Sequence, residues 1–129
     1  MKYVKILFLV GIASLLMFSC VKKTESYLEG QWQRVNLRET EAKAEVWEFK
    51  DGALAIYYLS SQNELKPYNS GTYKVQLDGT IMTFETTGFT INANSLDYNA
   101  TYKIYKKKKD ILGFIDTKGF FYEFTRYKN

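Results

Sequence analysis

The side chains that usually perform enzyme chemistry are scarce in this chain of 129 residues. It has no histidine and one cysteine, Cys20, so the common nucleophile–base pairs and the commonest metal ligand are missing. Glu45, Glu48 and Asp51 are close together, but alternation along a strand places Glu45 and Glu48 on opposite faces. The spacing predicts no carboxylate pair across a cleft, and no phosphate-binding glycine loop is present. We expect no catalytic residue, no metal site and no cofactor, and we expect that the protein is not an enzyme.

Cys20 is the one residue whose surroundings predict a covalent modification. The run 6–18 before it is almost wholly apolar, but it falls short of the roughly 20 residues that span a bilayer. The run ends in Met17-Phe18-Ser19-Cys20, which resembles the lipobox of bacterial lipoproteins. The resemblance implies that residues 1–19 are a signal peptide, and that Cys20 then carries diacylglycerol and a further acyl chain such as palmitate. A lone cysteine cannot form an internal disulfide, which agrees with this interpretation.

The segment after Cys20 bears on location. Residues 20–27 are interpreted as the lipidated cysteine and a short polar tether, Val21 to Ser26, before a domain over residues 28–129. No acidic run follows Cys20, which favours a lipid-anchored protein on the periplasmic side of the outer membrane and leaves the cell surface as an alternative. The net charge of +4 falls when Lys2 and Lys5 leave with the signal, so we expect no nucleic-acid partner.

The remaining chain has the pattern of an antiparallel β-structure. Turn signals recur about every 8–12 residues between short runs rich in aromatic and β-branched residues. Asp51-Gly52 and Asp78-Gly79 predict tight hairpins, because both central positions of a type I′ turn need a positive φ. Consecutive hairpins favour an up-and-down meander of eight or nine strands. Closing it into a small barrel removes the exposed edges, so the predicted fold class is an all-β barrel.

Alternation sets the predicted elements. The predicted strands cover residues 31–37, 45–49, 53–59, 71–77, 81–86, 89–93, 99–105, 111–116 and a last strand after Gly119 that contains Phe120, Tyr122, Phe124 and Arg126 on one face. Loops are predicted at Arg38–Lys43 and at Ser60–Ser70, which contains the only proline, and a turn at Lys106–Asp110. No helix longer than one or two turns is expected, although Thr24 to Glu29 could form a helical turn at the bottom of the barrel.

Several short motifs resemble the lipocalin family, and in particular small lipocalin-like lipoproteins of Gram-negative bacteria. The motifs are Gly30-Gln31-Trp32, Trp47-Glu48-Phe49 with Asp51-Gly52, Gly71-Thr72-Tyr73 and Phe124-Thr125-Arg126-Tyr127. The resemblance implies a barrel whose floor is formed by Gly30, Trp32 and Arg126. Arg126 would lie over the Trp32 ring, a contact worth about 0.5–2 kcal/mol. Gly30 would let the backbone pass close beneath it.

The aromatic residues lead to two functional hypotheses. The predicted inward-facing set is Trp47, Phe49, Tyr58, Tyr73, Phe84, Tyr102, Phe114, Tyr122 and Phe124. These rings could line a cavity for a small hydrophobic or amphipathic ligand, with tyrosine hydroxyls orienting it. Alternatively they fill the barrel, and the loops Arg38–Lys43 and Ser60–Ser70 contact a protein as an interaction or inhibitor module. Both hypotheses remain open.

Lys106 to Lys109 form the densest charge cluster of the sequence. Such a cluster can contact anionic lipid, to which each basic residue adds about 1 kcal/mol near the membrane surface. It is also typical of a solvated hairpin tip, and the composition favours that second interpretation.

Overall fold

A closed barrel of eight antiparallel strands forms the centre of the computed structural model, which describes residues 18–35, 44–93 and 97–128. Each strand pairs with its neighbours in the chain, and the first also pairs with the last. The strands are β1 (Gly30–Arg34), β2 (Glu45–Lys50), β3 (Ala53–Leu59), β4 (Leu65–Asp78), β5 (Ile81–Thr87), β6 (Thr101–Lys108), β7 (Ile111–Asp116) and β8 (Phe121–Arg126). The predicted all-β up-and-down barrel is confirmed. The predicted loop Arg38–Lys43 and signal residues 1–17 lie outside the described residues.

Two tight turns set the register of two hairpins. Asp51 and Gly52 join β2 to β3 with φ angles of 49° and 82°. Gly79, at φ 63°, begins the turn between β4 and β5. Glycine adopts positive φ readily and aspartate tolerates it, so the first turn forms at Asp51-Gly52 as predicted. The second turn lies one residue later than the predicted Asp78-Gly79, at residues 79–80, because Asp78 still belongs to β4 and pairs with Ile81.

Strand β4 begins at Leu65, so the loop predicted over Ser60–Ser70 is wrong in its second half. Pro67 is tolerated inside this strand because the pairing with β3 is irregular there. Tyr57 pairs with Pro67 and Ile56 pairs with Asn69, which leaves Tyr68 as the extra residue of a β-bulge. Proline lacks the N–H that a regular ladder needs, and a bulge is one of the few places where a sheet accepts it.

The weaker strand predicted over residues 89–93 does not form. The Asn99 side chain replaces a strand partner there: its Oδ1 accepts from the Phe89 N–H at 2.9 Å, and its Nδ2 donates to the Phe89 carbonyl at 2.9 Å. These bonds satisfy the backbone without a ladder and hold the Phe89 side chain in the core.

The turn predicted at Lys106–Asp110 is also wrong in its first half, because β6 continues to Lys108. Ile104 pairs with Phe114 and Lys106 pairs with Gly113, so Tyr105 is the extra residue of a second bulge. The bulge lets pairing continue after the hydrophobic alternation ends.

A helix over residues 18–28, α1, precedes the barrel, so the expectation of no helix beyond two turns is wrong. The segment interpreted as a polar tether is helical because Val21, Thr24 and Leu28 follow helical spacing and face the barrel. Thr24 and Leu28 are buried, and Val21 packs against the core. Within the described residues, no helix is long and apolar enough to cross a bilayer.

The end of the barrel that α1 covers, called the closed end, is held by Arg126. Its Cζ lies 3.8 Å from the Trp32 ring centroid, and its two terminal nitrogens donate to the carbonyls of Glu29 at 2.7 Å and Tyr27 at 2.6 Å. Trp32 Nε1 donates to the Leu28 carbonyl at 2.9 Å. These donors satisfy carbonyls that a helix C-terminus leaves free, and the cation complements the helix dipole.

Candidate functional site

The aromatic rings that the sequence places inside the barrel belong to one hydrophobic cluster, apart from Tyr58. None of the eight buried rings is more than 8% exposed; they are Trp47, Phe49, Tyr73, Phe84, Tyr102, Phe114, Tyr122 and Phe124. Tyr58 shares the inner face of β3 with Leu54 and Ile56 but is only partly buried, near the end of its strand.

Trp47 packs at the centre of this cluster. Its ring centroid lies between 5.0 and 6.5 Å from those of Phe49, Tyr98, Tyr102, Phe114, Tyr122 and Phe124. Further pairs stack directly, such as Phe84 on Tyr102 at 4.9 Å and Phe114 on Phe124 at 5.2 Å. Distances of this size are direct ring contacts, so these side chains occupy the middle of the barrel with one another.

The barrel end opposite α1, called the mouth, carries an inward-facing ion pair. Arg34 follows Trp32 and Glu45 precedes Trp47 by two residues, so both continue the buried faces of their strands. Arg34 Nη1 lies 3.3 Å from Glu45 Oε2, and the two side chains are 27% and 19% exposed. A charge pair so placed marks the point at which the apolar interior changes to a polar surface.

Glu45 is the centre of a hydrogen-bond network at the mouth. One carboxylate oxygen accepts from Trp47 Nε1 at 3.1 Å and pairs with Arg34, and the other accepts from the Tyr98 hydroxyl at 3.0 Å. The Arg34 guanidinium also lies over the Tyr122 ring, with Cζ 4.8 Å from its centroid. Glu45 therefore links the polar surface of the mouth to the central tryptophan.

Three tyrosines form an edge-to-face row beside this network. The ring of Tyr68 lies 6.4 Å from Tyr58 and 6.3 Å from Tyr98, with interplanar angles of 83° and 85°. Tyr68 is 50% exposed and is the bulge residue of β4. A bulge turns a side chain away from regular alternation, and here it directs Tyr68 towards the other two rings. Arg34, Glu45, Tyr58, Tyr68 and Tyr98 are together called the mouth cluster.

Burial and neighbouring carboxylates keep the phenols at the mouth protonated. Burial raises the pKa of Tyr98, and the Glu45 carboxylate raises it further. Burial likewise raises the pKa of Tyr122, with Asp116 adding to the effect, and the Tyr122 hydroxyl donates to Asp116 at 3.2 Å. These hydroxyls are hydrogen-bond donors at neutral pH rather than acids.

A small recess of about 50 Å³ lies at the mouth beside this cluster, between the segment before β6 and the β7–β8 turn. Its lining includes Asp97, Asn99, Asp116 and Tyr122. The recess has room for water but not for an organic ligand of any size. A ligand at this end would therefore lie on the mouth cluster rather than in the recess.

Sequence reasoning missed most of the mouth cluster. Of its five residues, only Tyr58 was in the predicted ligand-binding set. Arg34 and Glu45 could have been found by extending the alternation two residues from the buried tryptophans. Tyr68 was assigned to a loop because of Pro67, and Tyr98 lies in an irregular segment to which no periodicity applies.

Comparisons with protein-family models, with curated proteins and with solved structures find no match for this chain. Within residues 18–35, 44–93 and 97–128, no group of three or more His, Cys, Asp or Glu side chains is arranged to hold a metal ion. The chemical character of the mouth cluster thus rests on its own geometry, which combines exposed aromatic surface with a charged pair.

Proposed function

We propose that this chain is a lipid-anchored, lipocalin-like protein of the bacterial envelope that binds one small amphipathic molecule at the mouth of its barrel. The observation that carries the proposal is the position of Tyr68, half exposed and held by a bulge beside the inward-facing Arg34–Glu45 pair. Its function is binding rather than catalysis. The anchor, by resemblance, is acylated Cys20 on the periplasmic side of the outer membrane.

The chemistry of the mouth cluster supports an amphipathic ligand. The exposed ring of Tyr68 offers an apolar face and a polar hydroxyl at low conformational cost. Arg34 offers a guanidinium donor and Glu45 a carboxylate acceptor. The ligand would lie at the mouth and not deep inside, because Trp47 and the rings around it occupy the centre. This refines the cavity hypothesis drawn from the sequence.

The position of Cys20 is compatible with this arrangement. Cys20 is exposed on α1, at the closed end, whereas the mouth cluster lies at the far ends of β1 and β2. A lipid on Cys20 would place the closed end near the membrane and direct the mouth cluster away from it. A ligand could then enter from the aqueous side.

A fluorescence titration tests the ligand proposal. The full chain is solubilised with a detergent that is kept below its own critical micelle concentration. The amphipathic dye anilinonaphthalene sulfonate is then titrated into this solution. Tyr68→Ala should weaken dye binding by roughly two- to tenfold, the usual worth of one aromatic contact. Phe121→Ala is the control, because Phe121 is 66% exposed on the outer face of β8, outside the mouth cluster, and has an edge-to-face neighbour. Equal dye affinity in the two variants would contradict the proposal.

Metabolic labelling tests the anchor independently. Cells grown with an alkynyl palmitate analogue should incorporate it into the wild-type protein and not into Cys20→Ala. The variant should also leave the membrane fraction. Persistence of Cys20→Ala in that fraction, or labelling of it, would show that Cys20 is not the anchor.

The filled interior also favours a second candidate function, a protein-interaction or inhibitor module. A solid barrel needs no cavity for this role, and the exposed Tyr68 would suit an interface as well as a ligand site. Photocrosslinking from position 68 in intact cells separates the two. A discrete protein adduct would favour the interaction module, whereas its absence together with dye binding would favour the ligand.

A further inference from the structure

A groove of about 430 Å³ opens at the closed end, between α1 and strands β5 and β6. It exists because β5 and β6 pair only from Thr83 to Glu85, whereas β4 and β5 pair along the whole of β5. Beyond Thr83 the two strands separate towards the closed end, and α1 crosses beside the gap. The groove is thus a consequence of the ladder and lies away from the mouth cluster.

The groove has an amphipathic lining. Ile81, Met82 and Ile104 supply apolar surface, and the latter two pack against the core. Lys23, Lys106 and Lys107 supply three ammonium groups, and the lining includes no acidic residue. A site with an apolar floor and a cationic rim is complementary to a molecule that carries an anionic group on an apolar chain.

The three lysines differ in what holds them. Lys107 Nζ lies 3.4 Å from Thr24 Oγ1 and 5.5 Å from the Tyr27 ring centroid, so it fastens α1 to β6. Lys23 and Lys106 have no ion-pair partner within the part of the chain that the structure describes. Their charges are therefore available to a ligand, and replacing them leaves the fastening contact intact.

We propose that this groove binds an anionic membrane phospholipid, with the phosphate held between Lys23 and Lys106 and part of one acyl chain against Met82 and Ile104. The inference rests on the proposed anchor, because Cys20 lines the same groove and its acylation would bring the groove to the bilayer surface. It assigns the lysine cluster a lipid contact, in place of the solvated hairpin tip that composition favours. Charge complementarity selects the phospholipid over a neutral lipid.

The test uses the full-length acylated protein in nanodiscs, one set of phosphatidylcholine alone and one of equal parts phosphatidylcholine and phosphatidylglycerol. Amine-reactive labelling read by mass spectrometry reports the accessibility of each lysine. Lys23 and Lys106 should be labelled roughly fivefold more slowly in the anionic discs, the effect of about one favourable charge contact each. Lys118, in the β7–β8 turn at the mouth, should be labelled equally in both sets.

A second variant keeps the test independent of folding. Lys107 lines the same groove, so it too should be labelled more slowly in the anionic discs. Lys23→Gln with Lys106→Gln should abolish that difference for Lys107, whereas Lys74→Gln with Lys118→Gln should preserve it. Equal protection in both disc types would indicate that the protein's own acyl chain covers the groove, and would overturn the proposal. Protection of Lys118 to the same degree would also overturn it.

The anchor and the groove can fail separately. If palmitate labelling shows no acylation, the proposed anchor fails, and sedimentation of the unacylated chain with vesicles of the same two compositions tests the groove. Preferential sedimentation with phosphatidylglycerol, lost in Lys23→Gln with Lys106→Gln, would then support the groove. Acylation with no preference for the anionic lipid would leave the anchor standing and reject the groove.

Discussion

Arg126 lies over Trp32 with its Cζ 3.8 Å from the ring centroid, and the two residues are also paired partners in the strands that close the barrel. The same guanidinium donates to the carbonyls of Tyr27 and Glu29. One side chain thus joins the last strand, the first strand and the end of α1. The closed end depends on that convergence, which leads to the first two predictions.

Replacing Arg126 by lysine should destabilise the protein although the charge is kept. Lysine has no planar fork, so it cannot contact the indole face and donate to two carbonyls at once. We expect a loss of about 2 kcal/mol in the free energy of unfolding, from denaturant titration of the detergent-solubilised protein. Lys128→Ala, on an exposed neighbour, is the control and should change stability by less than about 0.5 kcal/mol. An equal effect of both substitutions would contradict this account.

Trp32 should show separable packing and hydrogen-bond contributions. The ring is fully buried, so Trp32→Ala should cost about 3–5 kcal/mol, as the loss of large core side chains usually does. Trp32→Phe keeps most of the packing but loses the bond from Nε1 to the Leu28 carbonyl, and should cost about 1–2 kcal/mol. A loss below about 1 kcal/mol for Trp32→Ala in the same titration would show that the closed end does not depend on this ring.

The fold is most predictable from the sequence where neighbouring residues alone determine the local structure. Asp51-Gly52 sets a hairpin register on its own, and alternation then places Trp47 and Phe49 inside. The predictions are wrong where a residue distant in the sequence determines the local structure. Pro67 is accepted only because β3 and β4 pair irregularly at that point. Phe89 forms no strand because Asn99, ten residues later, satisfies its backbone groups.

The candidate site was less predictable than the fold for the same reason. Arg34 and Glu45 follow from alternation, but their pairing depends on which strands become neighbours. Tyr68 reaches the mouth through a bulge, and Tyr98 through a segment with no periodicity. Of α1, only a helical turn over Thr24 to Glu29 was predicted, because Val21, Thr24 and Leu28 are an amphipathic face only once the barrel is there to cover them.

Gly71 should not tolerate even a methyl group. A Cβ there would collide with the Thr87 carbonyl oxygen and lie 2.6 Å from a ring carbon of Phe89. Because backbone cannot give way as a flexible side chain can, Gly71→Ala should lower the free energy of unfolding by about 1–3 kcal/mol or more. Ser70→Ala, on the exposed neighbouring residue, should have an effect below about 0.5 kcal/mol. A neutral Gly71→Ala in thermal unfolding would show that β4 and the segment after β5 are not packed this closely.

Buried tyrosines should make the protein sensitive to alkali. Burial raises the pKa of Tyr73 from 10.0 to about 12, and it also raises the pKa values of Tyr98, Tyr102 and Tyr122. The folded protein therefore keeps protons that the unfolded chain releases above pH 10. This contribution to stability is complete below pH 10 and is lost as the pH rises through the folded-state pKa values. Denaturant midpoints should fall above pH 10. Up to about pH 12, the share of the phenolate absorbance that belongs to these four tyrosines should rise only on unfolding. Phenolate formation by these tyrosines in the folded state well below pH 12 would argue against the packing described.

Glu45 and Glu48 offer a matched pair on opposite faces of one strand. Glu45 accepts from Trp47 Nε1 and the Tyr98 hydroxyl and pairs with Arg34, whereas Glu48 accepts from Gln31 at 2.7 Å on the outer face. Glu45→Gln removes the charge on which three partners converge, and should lower the free energy of unfolding by about 1–2 kcal/mol. Glu48 has neutral partners, Gln31 and Tyr57, and no ion pair among the described residues, so Glu48→Gln should lower the free energy of unfolding by less than about 0.5 kcal/mol.

The same pair distinguishes a structural network from a binding site. If the mouth binds an amphipathic molecule, Glu45→Gln should change dye affinity while Glu48→Gln leaves it unchanged, because only Glu45 faces the mouth cluster. Near-ultraviolet circular dichroism of the buried Trp47 checks that the core of Glu45→Gln is intact, so that a change in affinity is not a loss of folding. If Glu45→Gln loses much stability but binds the dye with unchanged affinity, the Arg34–Glu45 pair has only a structural role. The ligand site would then lie elsewhere on the barrel.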